Sequence, residues 1–447
     1  MSPTLPPGPH DVAPAALLYA MRRDPIAFFS KLAADYGDLT QFQLGTQGQY
    51  YLLNHPDYIK EVLVTQDRNF TKWFAVDRIR EVLGEGLFVS EGAFHHCQRR
   101  LVQPAFHGRR IAAYADVMVK FAAELIDRWR DGDVVEICTE MNSLAMRVVA
   151  KTLFGSEVET EVKEIGDALS EILGQFERSV LPEADRTDFE TARDRLDAAI
   201  HRMIKERRTS SDDRGDLLSM LFAAQDVEGS GGLTDRQVRD EAMTIFLAGH
   251  ETTANALAWS WYLLSLHPEI EERLWTEVDQ VLDGCLPTFD DVPQLTYTAM
   301  IFAESLRLYP PLWAIGRRAV ADCTIGGYTI AENSIVILCQ YVTHRDPRYF
   351  PEPAKFDPER WTPEAKTMRP KFSYFPFSGG GRSCLGESFA WTEGVLSLAT
   401  AAQRFRLRVV PDHPIVLQPQ LTLRAKYGIK MRVERRRSRQ AEAGGHD

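Results

Sequence analysis

From about residue 56 to residue 310, apolar positions recur every three or four residues, the spacing of amphipathic helices. In three segments outside that stretch the reading changes to strand. Residues 39–54 (LTQFQLGTQGQYYLLN) alternate on either side of a Gly45–Gly48 turn and predict a hairpin, and strand-like runs return at 324–343 and 404–433. Two polar, turn-rich breaks near 182–188 and 208–216 interrupt the helical region. The pattern predicts a mainly α fold with small β-sheets at both ends of the sequence. It contains no internal repeat and no low-complexity linker, so residues 1–447 read as a single domain. A proline-rich extended lead-in is expected over about 1–15, and a disordered polar tail over about 434–447, which includes the arginine run 435–439.

One helix stands out. Thr234 and Gln237 have the spacing of a capping box, and the apolar pattern then runs to Leu266 before Pro268 stops it. A helix of about 32 residues is roughly 48 Å long, so one this apolar is expected to cross the middle of the protein.

Composition narrows the class. The net charge of −11 argues against a general nucleic-acid binder, which carries a basic excess. No run of 18 apolar residues occurs, and the N-terminus has no positively charged leader, so a cytoplasmic protein without a transmembrane anchor is expected. The six cysteines form no close CxxC pair, which excludes zinc-ribbon and thioredoxin readings. Five of them read as reduced, inert thiols.

Cys384 differs because of its neighbours, Phe377-Ser-Gly-Gly-Gly-Arg-Ser-Cys384-Leu-Gly386. Glycines let backbone approach something flat or bulky. The amphipathic stretch after Cys384 puts the sulfur at a helix N-terminus, where the dipole favours thiolate over thiol. With an arginine nearby and Phe377 as a screen from water, this is the setting of an anionic metal ligand. An isolated Gly-Arg-Ser-Cys would more often be a turn with an inert cysteine; the full spacing reverses those odds. Further upstream, Glu304 and Arg307 lie one helical turn apart in apolar sequence (MIFAESLRLYPP), which points to a buried pair rather than a solvated bridge. Within the long helix stands Ala248-Gly-His-Glu251-Thr252-Thr. There Gly249 leaves room for a ligand, Thr252 can bond a carbonyl one turn back and open a groove, and Glu251 sets an acid beside an alcohol.

These segments, in this order, resemble the motifs of the cytochrome P-450 superfamily. Phe377 to Gly386 is similar to its haem-binding loop and Glu304-Ser-Leu-Arg307 to its Glu-x-x-Arg pair. Phe356-Asp-Pro-Glu-Arg360-Trp resembles the motif whose arginine completes a charge network with that pair, and residues 248–253 resemble the oxygen-binding stretch of the central helix. The resemblance implies the cytochrome P-450 fold and a haem-thiolate monooxygenase that binds haem b (iron protoporphyrin IX) with Cys384 on the iron. It also implies contacts to the haem from Ala248, Phe377 and Gly386, and cations for its propionates from His95, Arg99, Arg317 and Arg382. Many members have Trp where His95 stands. Glu251 and Thr252 would relay protons to dioxygen.

Substrate is expected against Trp73, Phe74, Leu87, Phe88, Ala248 and Leu312 to Ile315, Trp313 among them. Such a wall suits a fatty acid, terpenoid, steroid or carotenoid. Electrons would come from NAD(P)H through a ferredoxin or flavodoxin and its reductase, docking at Arg100, Arg109 and Arg110 of the basic cluster that also contains Arg99. A monomer is expected. A peroxide-driven oxygenase or dehydrating isomerase would typically lack the Glu251–Thr252 pair, and a haem sensor would carry an output domain, so these alternatives rank below the monooxygenase.

Overall fold

The alternation at 39–54 forms a hairpin in which Leu39–Leu44 pairs antiparallel with Gln47–Leu53. The structure is a computed structural model that describes residues 5–73, 75–155, 164–169, 171–172, 186–209, 216–223 and 233–436. The chain divides into two units. The first comprises Met1–Val76, Met300–Cys384 and Leu417–Arg424, and the second Asp77–Ala299, Leu385–Val416 and Ala425–Asp447.

In the first unit the hairpin joins a five-stranded sheet in the order Leu39–Leu44, Gln47–Leu53, Ile335–Leu338, Ile315–Ala319, Phe70–Lys72. Gln47–Leu53 and Ile335–Leu338 run parallel. Tyr50, Leu52, Ile335 and Ile337 bury one face against Phe28, Phe29 and Phe42. Tyr51, Leu53, Val336 and Leu338 bury the other with Ile59, Leu63 and Phe372. Both faces are covered, so the runs YYLL and IVIL carry no polar alternation. Each such side chain contributes about 1.5–3 kcal/mol on burial.

The strand-like run at 324–343 is strand only in part. Cys323–Ile325, Tyr328–Ile330 and Ile335–Leu338 are strands, but Gln340–Thr343 is a helical turn. Polar bonding overrides its β-formers: the buried Thr343 hydroxyl donates to Asn54 Oδ1 at 2.9 Å, and Asn54 donates on to Asp346 at 3.2 Å.

The second unit is built on the long helix, Asp235–Leu266, whose capping box between Thr234 and Gln237 is formed. It packs most extensively against the helix Ile137–Phe154. A further helix, Glu387–Ala402, lies against Gly108–Ile126, where Ala115, Val119 and Leu396 meet. A three-stranded sheet joins Val134–Glu136, Lys430–Arg435 and Phe405–Val409. Glu434 and Arg435 therefore belong to a strand rather than to the expected tail. Their register sets Glu434 opposite Arg406, and the two side chains pair at 2.6 Å.

Residues 437–447 of the expected tail and 1–4 of the lead-in lie outside the described residues, as do 182–185 and 210–215 of the two polar breaks. The rest of the lead-in is held by Gln41, whose N–H donates to the Pro7 carbonyl, and a helix begins at Pro14. Among the described residues, no helix is long and apolar enough to cross a membrane.

Candidate haem-thiolate site

In the first unit, Glu304 and Arg307 on the helix Thr296–Leu308 are both fully buried. Arg307 Nε and Nη2 donate to the two carboxylate oxygens of Glu304, each at 2.8 Å. Its remaining N–H groups donate to the carbonyls of His344 (2.9 Å), Pro353 (2.8 Å) and Lys355 (3.0 Å). All five guanidinium donors are thereby matched. Glu304 also accepts from the Trp361 indole at 2.9 Å and the Asp357 N–H at 3.0 Å, so each carboxylate oxygen receives two hydrogen bonds. Arg360 brings its Nε to 3.4 Å from Glu304 and donates to the carbonyls of Pro351 and Glu352.

This cluster continues into the loop that carries Cys384. His344 accepts the Phe375 N–H on its Nε2 at 2.9 Å, and the Tyr374 hydroxyl donates to the Ala303 carbonyl at 3.1 Å. Burial, reinforced by the charges of Arg307 and Arg345, holds the His344 imidazole well below its ordinary pKa. It stays neutral and keeps the lone pair that Phe375 needs. Sequence reading missed His344, Trp361 and Tyr374, whose roles rest on contacts distant in the chain. A conspicuous Trp beside Arg360 was the available signal.

The glycines before Cys384 approach protein. A Cβ on Gly380 (φ +66°) would fall 1.8 Å from the Leu63 carbonyl oxygen, and one on Gly379 would fall 2.6 Å from the Phe372 ring. The Cys384 N–H closes the loop on the Phe377 carbonyl at 2.9 Å, and the cysteine itself is exposed. Cys323 and Cys339 are buried, and burial pushes the Cys339 thiol up to about 12. Arg317 is buried in the strand Ile315–Ala319.

Trp313 lies against Phe29 with ring centroids 6.2 Å apart and donates its indole N–H to the Gln420 carbonyl at 2.8 Å, which ties it to the sheet core. Trp73 covers Gly316 and packs on the same core. Ile315 packs on the opposite face, and Leu312 is half-buried. Phe74 lies outside the described residues.

In the second unit, the long helix is continuous through 248–253, with buried residues before and after. From Val238 to Leu264 Ala248 is exposed and Leu247, Gly249, Thr252 and Tyr262 are half-buried, while the other positions are buried. Ala248 and Thr252, one turn apart, share a face at the level of the motif, while a Cβ on Gly249 would meet the Val149 side chain at 3.1 Å. Thr252 Oγ1 donates to the Ala248 carbonyl at 2.7 Å, Thr253 Oγ1 to that of Gly249 at 3.2 Å, and the His250 ring is bonded to that of Phe246. Glu251 is buried. His95, on the helix Gly92–Val102, is buried edge-on to the exposed His96, with centroids 5.6 Å apart. Arg99 and Phe88 are half-buried, while Arg100 and Arg109 are exposed.

Glu241, two turns before Ala248, is fully buried; that burial, with the neighbouring Asp240 charge, pushes its carboxyl up to about 7. Between pH 4.5 and 7 the fold then holds a proton that the unfolded chain releases, so this group's stabilisation fades as pH rises through that window. The shift amounts to about 3 kcal/mol at full ionisation. Glu241→Gln is expected to flatten the fall in stability between pH 5 and 8 and to exceed the parent most at the alkaline end, as read by thermal melts across that range.

Each unit, taken by itself, carries residues that suit a haem. Among the described residues, no three His, Cys, Asp or Glu side chains converge as a metal site. One thiol, the exposed Cys384, would suit an iron whose other ligands come from a porphyrin. An apolar patch with one hydroxyl, on a helix otherwise covered, suits a flat apolar group and the molecules bound on it.

Comparison with known proteins agrees. A sequence model of the cytochrome P-450 family matches residues 3–432. Cyclooctatin synthase of Streptomyces melanosporofaciens is 41% identical over 93% of this chain and 94% of its own. Cyclooctat-9-en-7-ol 5-monooxygenase of the same organism is 39% identical over 88% and 87%. Pentalenene oxygenase of Streptomyces avermitilis is 35% identical over 88% and 89%. The crystal structure of the cytochrome P-450DA haem domain superposes with a TM-score of 0.89 over 97% of both chains at 28% identity.

Proposed function

The chain belongs to the cytochrome P-450 family and is a monooxygenase, and from that membership we propose that it oxidises a cyclic terpenoid with electrons from a ferredoxin or flavodoxin and its NAD(P)H-dependent reductase. The exposed Ala248 with the Thr252 hydroxyl one turn on carries this reading: together they offer an apolar surface with a hydroxyl on a largely buried helix. The names of three similar proteins, all of which oxidise or make cyclic terpenoids, favour that class over the fatty acids, steroids and carotenoids that the apolar residues also suit.

Cys384 would hold the haem iron, and His95, Arg99, Arg317 and Arg382 would supply cations for its propionates. Bound there, the haem supplies dioxygen activation, with the thiolate favouring O–O cleavage. The chain's own part is to move protons and exclude water. The one hydroxyl proton of Thr252 points at the Ala248 carbonyl. Its lone pairs are therefore what Thr252 offers outward, and it becomes a donor only by turning away from that carbonyl. Glu251, next in the chain, is the acid assigned to reload it.

Thr252→Ala is expected to keep consuming NAD(P)H and oxygen while product falls and hydrogen peroxide accumulates; Thr252→Ser should restore coupling. Unchanged product per NAD(P)H in the alanine variant would remove Thr252 from this role. The substrate class is tested by titrating the haem absorption with pentalenene, cyclooctat-9-en-7-ol, palmitate and a steroid. A response to palmitate or the steroid alone would overturn the terpenoid reading.

A further inference from the structure

Residues 84–89 are fastened to the long helix by two buried carboxylates. The Glu85 N–H donates to Asp240 Oδ2 at 2.9 Å, and the Leu87 N–H donates to Glu241 Oε2 at 3.1 Å. Arg80 holds the segment from its other side, donating to both oxygens of Glu85 at 2.5 Å and to the Val89 carbonyl at 3.1 Å. The contact is too close for side chains. A Cβ on Gly86 would fall 2.1 Å from Thr244 Oγ1 and 2.4 Å from the Asp240 carbonyl, and one on Gly84 (φ +59°) would meet the Asp240 carboxylate. Asp240 is itself held by Arg239 at 2.9 Å, and Arg239 pairs with Asp197 on the helix Arg186–Thr209.

Among the described residues, Glu241 has no such cation in its ion pairs or hydrogen bonds. Its Oε1 is buried without a hydrogen-bond partner, as is Thr244 Oγ1 one turn on. A carboxyl buried in this way costs free energy that an apolar side chain at the same position would not. Its one hydrogen bond is to the backbone of Leu87. Two turns further along the same face stands the exposed Ala248.

We propose that Asp240 and Glu241 are specificity-positioning residues, a latch that fixes residues 84–88 on the long helix so that Leu87 and Phe88 present a set wall to the substrate. This rests on the reading above that Phe88 and Ala248 touch substrate. The latch acts through acceptor position at Glu241 rather than through charge, which separates it from a general electrostatic role. Glu241→Gln keeps an oxygen acceptor at the same reach and loses the charge. Glu241→Asp keeps the charge and withdraws the acceptor by one methylene. Glu241→Leu removes both.

The test uses the full-length, haem-loaded enzyme and two readouts. Amide hydrogen exchange at Glu85 and Leu87 reports the latch directly. Binding of 4-phenylimidazole, whose nitrogen ligates haem iron while its ring fills the distal side, reports the wall. Exchange at Leu87 is expected to stay near wild type in Glu241→Gln, to rise severalfold in Glu241→Asp and to rise about tenfold or more in Glu241→Leu. The dissociation constant for 4-phenylimidazole should follow the same order, with the carbon-monoxide band unchanged. The aspartate variant behaving as wild type while glutamine loosens the segment would overturn the proposal. So would altered exchange with unaltered 4-phenylimidazole binding in all three variants. Should the leucine variant fail to fold, the glutamine and aspartate variants still decide between position and charge. A wild type that ignores pentalenene and cyclooctat-9-en-7-ol would count against the terpenoid reading, while exchange and 4-phenylimidazole binding still judge the latch.

Discussion

Arg307→Ala is expected to give little soluble, haem-loaded protein. The substitution removes five hydrogen bonds at once and leaves Glu304 fully buried, its two remaining close donors being the Trp361 indole and the Asp357 N–H. Breaking a buried pair in this way costs about 3–5 kcal/mol. Folded proteins have only about 5–15 kcal/mol in total, so the loss is a large share of it. The carbonyls of His344, Pro353 and Lys355 would lose their donor as well, and His344 is the residue that holds Phe375 in the Cys384 loop. Haem retention should therefore fall together with stability. Arg307→Lys keeps the charge but lacks the five-donor fork, so it should rescue only in part. Trp361→Phe, which deletes one donor to Glu304, should cost about 1 kcal/mol and leave haem bound. Thermal melting and the ratio of haem to protein absorbance measure all three. A fully haem-loaded Arg307→Ala protein with an unchanged melting temperature would contradict this account.

Replacing Cys384 is expected to abolish the strongly red-shifted Soret band of the reduced, carbon-monoxide-bound protein. Cys384→His should bind haem with a band at shorter wavelength, because imidazole donates less electron density than thiolate. Cys384→Ala should lack the thiolate band altogether. Two of the other thiols, Cys323 and Cys339, are poor substitutes: both are buried, and burial raises the pKa of each. Retention of the band in Cys384→Ala would assign the iron to another cysteine.

Much of this architecture was legible in the chain. The long helix was readable to the residue because its signals are local: Thr234 and Gln237 cap it, and Pro268 follows its end. The hairpin at 39–53 was readable for the same reason. Where neighbours distant in sequence decide, local reading fell short. Gln340–Thr343 has strand-forming residues, yet Asn54 and Asp346 draw it into a helical turn. Glu434 and Arg435 looked like the start of a polar tail, and a partner strand thirty residues upstream claims them. The glycine run before Cys384 was read as clearance for a bound group; two of those glycines also accommodate Leu63 and Phe372. The latch at Asp240 and Glu241 left no pattern that a single sequence displays, since its partners are backbone N–H groups.

The parallel pairing of Gln47–Leu53 with Ile335–Leu338 has a consequence for how the protein is made. Tyr50 lies beside Ile335, which the ribosome adds 285 residues later. At about 5–20 residues per second, the N-terminal hairpin waits roughly 15–60 s for the strand that completes the sheet. Through that interval Tyr50, Tyr51, Leu52 and Leu53 are apolar on both faces, and the edge of their strand is open to any extended chain that meets it. The nascent polypeptide is therefore most exposed to misassociation after its first tenth has emerged and before its last quarter has. Slower translation of the middle of the message should lower the yield of folded protein, and a chaperone that shields that edge should restore it.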